Sequence, residues 1–308
     1  MIENLLGLKE TSAEDINAIL EDAFRLKKEV LLNDVKKSPL LNGKSIITLF
    51  FENSTRTRVS FELASKYLGA VAANVSASSS SVAKGETLID TVRTLEAMGT
   101  DVIIIRHNQS GAPHLVSKYT KSKIVNAGDG MNEHPTQALL DMMTMIEKKG
   151  SIKGLKVAII GDVKHSRVAR SNIYGLKKLG AEVALAGPST LMPVNLEEFG
   201  VAVYNDVEKA IEGADVVMGL RIQLERQKKG LFPSVREYNK YFGVNKERLA
   251  LAKPDAILMH PGPVNRGVEL NPDIVDGSQS VIKEQVTNGV CVRMSVLNML
   301  ANGKRFGE

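Results

Sequence analysis

The residues best equipped for chemistry stand in the run Ser54-Thr55-Arg56-Thr57-Arg58. Hydroxyls and backbone N–H groups at the start of a helix make an anion site, and an arginine adds a two-pronged donor that matches phosphate. A plainer reading of the same run is a helix capped by Ser54, with its arginines on the surface. Further on, cationic or imidazole side chains follow short apolar runs. Arg106 follows 102–105, His134-Pro135-Thr136-Gln137 follows 124–127 and a Gly-rich loop, and Arg167 lies shortly beyond 156–160. Arg221-Ile222-Gln223 follows 216–219, and His260-Pro261-Gly262-Pro263 follows 256–259. Ligands of open parallel sheets bind where loops leave the carboxyl ends of strands. Arginines and histidines at so many strand ends predict a pocket built for several negative charges.

The apolar runs that must position these residues alternate with helical patterns. Strands are expected at 45–51, 102–105, 124–127, 156–160, 183–186, 201–204, 216–219 and 256–259. After the first, Val59, Leu63 and Tyr67 recur every fourth residue before Gly69, as on one helix face. Helices are also expected at 88–99, 135–148 with proline at its first position, 167–179 ending at Gly180, and 285–302. Uninterrupted apolar strands between helices imply parallel sheets covered on both faces. The expected fold class is α/β, with two α/β/α domains, each with a mainly parallel sheet, linked by helices. The domain boundaries are expected at 1–149, with 285–308 packing back on it, and 150–284. The stretch 76–81 reads as a flexible loop from its serine content.

Composition narrows the function classes. The chain is 43% apolar and 24% charged, as soluble globular proteins are. Its net charge of +5 is spread along the sequence, and tryptophan is absent, so nothing favours nucleic-acid binding. The one cysteine, Cys291, excludes an internal disulfide and a cysteine metal cluster. No signal peptide or membrane span is expected, and the expected location is the cytoplasm. There is no GxxxxGK[ST] loop, and Gly161-Asp162 is not a GxGxxG fingerprint, so a nucleotide cofactor has no support. His107, His114 and His165 show no metal-ligand spacing. Met142, Met143 and Met145 read as core packing.

Taken together, the strings resemble the aspartate and ornithine carbamoyltransferase family. Phe50-Phe51-Glu52-Asn53-Ser54-Thr55-Arg56-Thr57-Arg58 looks like its carbamoyl-phosphate signature, and His134-Pro135-Thr136-Gln137 like its second motif. Lys84-Gly85-Glu86-Thr87, Arg167, Arg221-Ile222-Gln223 and His260-Pro261-Gly262-Pro263 follow in family order and spacing. Arg221 with Gln223, Lys84, and the lack of a His-Cys-Leu-Pro string favour the aspartate branch. The resemblance implies transfer of a carbamoyl group from carbamoyl phosphate to the amine of L-aspartate, an early step in pyrimidine biosynthesis. An ornithine or other amine transcarbamoylase, or a non-catalytic anion-binding protein, are the alternatives.

The roles it implies fall residue by residue. Ser54, Thr55, Arg56 and Thr57 would hold the phosphate. Arg106, His134 and Thr57 would donate to the carbonyl oxygen, and Gln137 would accept from the carbamoyl nitrogen. Arg167 and Arg221 would clamp the aspartate carboxylates, with Gln223 assisting. Pro261 and Gly262 would offer carbonyls near the substrate amines. Gly262 stands where the family often has leucine or alanine, and it offers backbone groups alone. Ser80 and Lys84 would reach in from a neighbouring subunit of a homotrimer with shared sites. Glu52 and Arg226 would form ion pairs favouring a closed state. Neither a covalent intermediate, a metal nor a cofactor is implied. A regulatory chain is left open.

Overall fold

Runs of β-branched and other apolar residues, too short for helices and buried on both faces in the inner strands, build two parallel sheets. The computed structural model describes residues 2–33, 36–76, 85–222 and 234–303. The chain divides into two units, Met1–Met143 with Thr287–Glu308, and Thr144–Val286.

The first unit opens with α1 (Ala13–Leu26) and continues through β1 (Ser45–Phe50), α2 (Thr55–Tyr67), β2 (Val71–Ser76) and α3 (Leu88–Ala97). It runs on through β3 (Val102–His107), α4 (Ala112–Val116), β4 (Lys123–Asp129) and α5 (Pro135–Lys149), the last crossing into the second unit. The strand order is β2-β1-β3-β4, all parallel. Val102, Ile103, Ile104 and Ile105 are each fully buried, so side chains on both faces of β3 are covered. Ile47, Leu49, Val92, Leu95 and Ile103 lie in one apolar cluster under α3. Removing one such side chain to alanine typically costs about 2–5 kcal/mol.

The second unit comprises β5 (Lys156–Ile160), α6 (Arg167–Lys178), β6 (Glu182–Ala186), β7 (Ala202–Tyr204), α7 (Val207–Ile211) and β8 (Val216–Gly219). It continues with α8 (Val235–Phe242), α9 (Lys246–Leu249), β9 (Ile257–Met259) and α10 (Pro272–Val275), then the start of α11 (Ile282–Asn302). Its sheet is also parallel, in the order β7-β6-β5-β8-β9. No helix among the described residues is long and apolar enough to cross a membrane.

The expected strands and helices are present, with ends shifted by a few residues; beyond the short helices α4, α7, α8, α9 and α10, two elements are additional. The first, α1, is amphipathic, burying Ile16, Ile19, Leu20, Ala23 and Leu26. The other, β2, is an edge strand carrying Asn74 and an exposed Val71, so it lacks the continuous apolar run of its neighbours. Of the serine-rich stretch 76–81, Ser76 closes β2 and the rest lies outside the described residues.

Candidate active site

In the first unit the chain lays β2 on one side of β1, then crosses back to place β3 and β4 on the other. Loops diverge at such a switch, and their carboxyl-end crevice is the usual ligand site. Phe50 at the end of β1 pairs with Arg106 on β3, and the Phe51 N–H donates to the Arg106 carbonyl at 2.8 Å. The loop carrying 52–54 thus leaves the sheet beside Arg106.

Ser54 precedes α2 in extended conformation, but its side chain caps nothing. Ser12, Thr87, Ser166 and Ser234 each accept a backbone N–H at the start of their own helices, at 3.1, 3.2, 3.1 and 3.1 Å. The capping reading of Ser54 therefore fails. Its hydroxyl and the first N–H groups of a 13-residue helix remain to bind an anion. Thr55 and Arg56 are exposed, and Thr57 is buried.

Arg106 is held from two sides. Its Nη1 donates to the Ala127 carbonyl at 3.0 Å, and its Nε lies 3.4 Å from Glu52 Oε2. His107, next along, is buried and packs against Phe51, the ring centroids 4.6 Å apart and the planes tilted by 49°. Burial pushes its pKa below the ordinary value, against the pull of Glu52 and Asp129. Its Nδ1 accepts the Gln109 N–H at 2.9 Å. It is a wall beside the site, neutral at pH 7.

His134 is buried, and its carbonyl accepts the Gln137 N–H at 3.0 Å as α5 begins. Two buried acids that sequence reasoning passed over hold the preceding loop. Asp129 accepts from Gly111 N at 2.7 Å, Asn126 Nδ2 at 2.8 Å and Glu133 N at 3.1 Å. Glu133 accepts from Leu8 N at 2.7 Å and Lys9 N at 3.1 Å. A third, Asp141, lies one turn beyond Gln137 and accepts from its Nε2 at 2.9 Å. A carboxylate can only accept, so the Gln137 amide must turn its NH2 to Asp141, which commits its carbonyl oxygen to the other side. The signal for Asp141 was an acid at helical spacing from Gln137 within an apolar stretch. From α11, Arg293 donates to Ser60 Oγ at 2.9 Å and lies 5.0 Å from the Phe61 ring centroid. Burial lowers its pKa to about 10, with Asp141 opposing the shift, so it stays charged at pH 7.

The second unit repeats the topology. There β5 is the inner strand, with β6 and β7 on one side and β8 and β9 on the other. Arg167 opens α6 directly after the Ser166 cap and is only 5% exposed, which excludes an ordinary surface arginine. The loop before it is shaped by buried Asp162, which accepts His165 N at 3.1 Å and faces His165 Nδ1 at 2.9 Å. Arg221 follows β8 and is half-buried. Pro261 and Gly262 follow β9, and Gly262 takes φ 65°, a region glycine enters without a Cβ penalty.

The structure thus places Ser54, Thr55, Arg56, Thr57, Arg106, His134 and Gln137 on the carboxyl edge of the first sheet. Arg167, Arg221, Pro261 and Gly262 stand on that of the second. Ser80, Lys84, Gln223 and Arg226 lie outside the described residues. Met142, Met143, Met145 and Cys291 are fully buried. Among the described residues, no group of His, Cys, Asp and Glu is arranged to hold a metal ion.

Two family models match the chain. Residues 3–147 match the aspartate/ornithine carbamoyltransferase carbamoyl-P binding domain, and 153–300 the Asp/Orn binding domain. The aspartate carbamoyltransferase catalytic subunit of Ruminiclostridium cellulolyticum is 67% identical over 97% of this chain and 95% of its own length. That of Acetivibrio thermocellus is 66% identical over the same shares. Among solved structures, aspartate transcarbamoylase from Trypanosoma cruzi in complex with carbamoyl aspartate and phosphate superposes with a TM-score of 0.86 at 31% identity, covering 96% and 94% of the two chains. Ornithine carbamoyltransferase from Pyrococcus furiosus superposes with 0.85 at 34%, covering 98% and 97%.

Proposed function

This chain belongs to the aspartate/ornithine carbamoyltransferase family, and we propose that it transfers the carbamoyl group of carbamoyl phosphate to the amine of L-aspartate. The products are N-carbamoyl-L-aspartate and phosphate, for pyrimidine biosynthesis in the cytoplasm. The observation that carries the reading is the uncapped start of α2 beside the anchored Arg106. The 66–67% identity to aspartate carbamoyltransferase catalytic subunits selects the acceptor.

Residues 1–149, with 285–308, bind the donor in this reading, and 150–284 the acceptor. Ser54, Thr55, Arg56 and Thr57 surround the phosphate. Arg106, His134 and Thr57 donate to the carbonyl oxygen, while the Gln137 carbonyl oxygen accepts from the carbamoyl NH2. Arg167 and Arg221, with Gln223, hold the two carboxylates of aspartate. Carbonyls of Pro261 and Gly262 face the amines. The uncharged amine attacks the carbonyl carbon and forms the new C–N bond. Negative charge collects on the oxygen among its donors, and then the C–O bond to phosphate breaks. The amine proton leaves with the phosphate. No side chain forms a bond to substrate. The rate comes from positioning and from charge stabilisation.

Ser80 and Lys84 complete the site from a neighbouring subunit of a homotrimer, and a regulatory chain could attach to that trimer. Mixing inactive Lys84→Ala and Arg106→Ala chains under subunit exchange is expected to restore part of the activity, since some hybrids carry one intact site. No recovery would argue against sharing. For the reaction itself, purified protein is expected to release phosphate from carbamoyl phosphate with aspartate and not with ornithine. Release with ornithine alone would move the assignment to the sister branch. Release with neither would leave an anion-binding protein.

A further inference from the structure

One buried carboxylate in the second unit is used by no step above, yet its bonds lead to both segments assigned to the acceptor. Glu269 is 2% exposed, between Val268 and the core residue Leu270. Its Oε1 accepts from two directions, His260 Nε2 at 3.2 Å and the Asn265 N–H at 2.6 Å. On the other side of the imidazole, His260 Nδ1 accepts the Gly262 N–H at 2.9 Å. An imidazole that accepts at Nδ1 must be neutral with its proton on Nε2, the proton Glu269 receives. The His260 backbone N–H is itself fixed by Gln285 Oε1 at 3.0 Å. These bonds set the turn that points the Pro261 and Gly262 carbonyls.

The same network reaches the other segment. The Asn265 side-chain amide donates to the Ile222 carbonyl at 3.0 Å, next to Arg221. The turn after β9 and the loop after β8 are therefore tied by Asn265, whose backbone N–H is held by the same carboxylate oxygen. Glu269 Oε2 has no hydrogen-bond partner among the described residues, so the bonding runs through a single acceptor atom.

We propose that Glu269 is a positioning residue for the acceptor amino acid, locking the Pro261–Gly262 turn through His260 and the Arg221 segment through Asn265. With Arg221 and the two carbonyls as acceptor contacts, as read above, its loss frees both at once while leaving the phosphate end untouched. The His260 Nε2 and Asn265 N–H donors would also lose this acceptor, which favours movement of the loops. Because both N–H groups converge on one oxygen, the carbonyl of glutamine can replace it. The charge itself is not required.

The test is steady-state kinetics on Glu269→Ala, Glu269→Gln and Asn265→Ala beside the unaltered protein, with inhibition by inorganic phosphate as the readout of the first unit. Glu269→Ala is expected to raise the KM for aspartate by at least about tenfold, with the phosphate inhibition constant within about twofold. Glu269→Gln is expected to recover to within about threefold of the unaltered protein, and Asn265→Ala to raise the same KM about threefold or more. Asn265 is half-buried, so its variant carries the test if Glu269→Ala does not fold. An unchanged aspartate KM in a folded Glu269→Ala or Asn265→Ala protein overturns the proposal. So do equal losses in the alanine and glutamine variants, or a phosphate constant that moves as far as the aspartate KM. If the unaltered protein releases no phosphate with aspartate, the functional reading has failed, and that outcome is visible before any variant is made.

Discussion

The two sheets grow the same way, outward from β1 in one unit and from β5 in the other, yet the anion sites proposed at their edges are built by different means. At the head of α2 the serine declines its own helix, leaving hydroxyl and amide donors for a ligand. At the head of α6 the serine closes the helix, with Ser166 Oγ accepting the Ala169 N–H at 3.1 Å, and the arginine behind it is the group on offer. A phosphate has oxygens enough to take many short donors at once, which backbone amides and hydroxyls supply at fixed positions. Two carboxylates on a small flexible amino acid lie apart, and long two-pronged guanidinium groups reach each. The supporting acids differ as well. Glu52, Asp129, Glu133 and Asp141 brace the first edge, and Asp162 and Glu269 the second.

Breaking the first edge at its chemistry gives the largest effect. His134→Ala and Arg106→Ala should each lower kcat about 10²–10³-fold, the usual loss of one donor to a developing oxyanion, measured by phosphate release at saturating substrates. A kcat within a few fold of normal would remove that residue from the site. Breaking the second edge should act on binding. Arg221→Ala should raise the KM for aspartate roughly 10–100-fold, the worth of charge-assisted bonds of about 1.5–3 kcal/mol. An aspartate KM that stays put would sever Arg221 from the acceptor.

The sharpest form of the contrast is a pair of small changes. Ser166→Ala removes a cap and should cost about 1 kcal/mol, lowering Tm by about 2–4 °C with little effect on carbamoyl phosphate. Ser54→Ala has no cap to lose, so Tm should move by less than about 1 °C, while carbamoyl phosphate binds several-fold more weakly. Calorimetric unfolding and a binding titration on the same two proteins read both quantities. Reversed effects would mean that Ser54 caps α2 in solution.

Much of this frame was legible beforehand because its signals are local. Runs such as Lys156–Ile160 announce buried strands, and a polar residue next to a helical pattern announces a start. The same rules could have found α1, since Ser12 and Asp15 form a start signal ahead of Ile16, Ile19, Leu20 and Ala23. The edge strand β2 was hidden because Asn74 and two alanines carry little β-signal. There, pairing to β1 in register decides the conformation. The proposed donors to the ligand stood out as types and spacing. Their supports did not, because Glu133 meets Leu8 and Lys9 across 125 and 124 residues of chain, and no local pattern reports such a contact. His260 and Glu269 are nine residues apart, but only the turn between them makes them partners. Ser54 failed the other way, since its position looks like a cap and only the folded structure shows that its side chain makes no capping bond.

Division of labour between the two edges is the claim from which the rest follows. It is tested most directly by titrating carbamoyl phosphate, without aspartate, into Arg221→Ala and Arg106→Ala proteins in a calorimeter. The affinity of Arg221→Ala should stay within about twofold of the unaltered protein, and that of Arg106→Ala should fall about tenfold or more. Equal losses in the two, or a loss confined to Arg221→Ala, would contradict it.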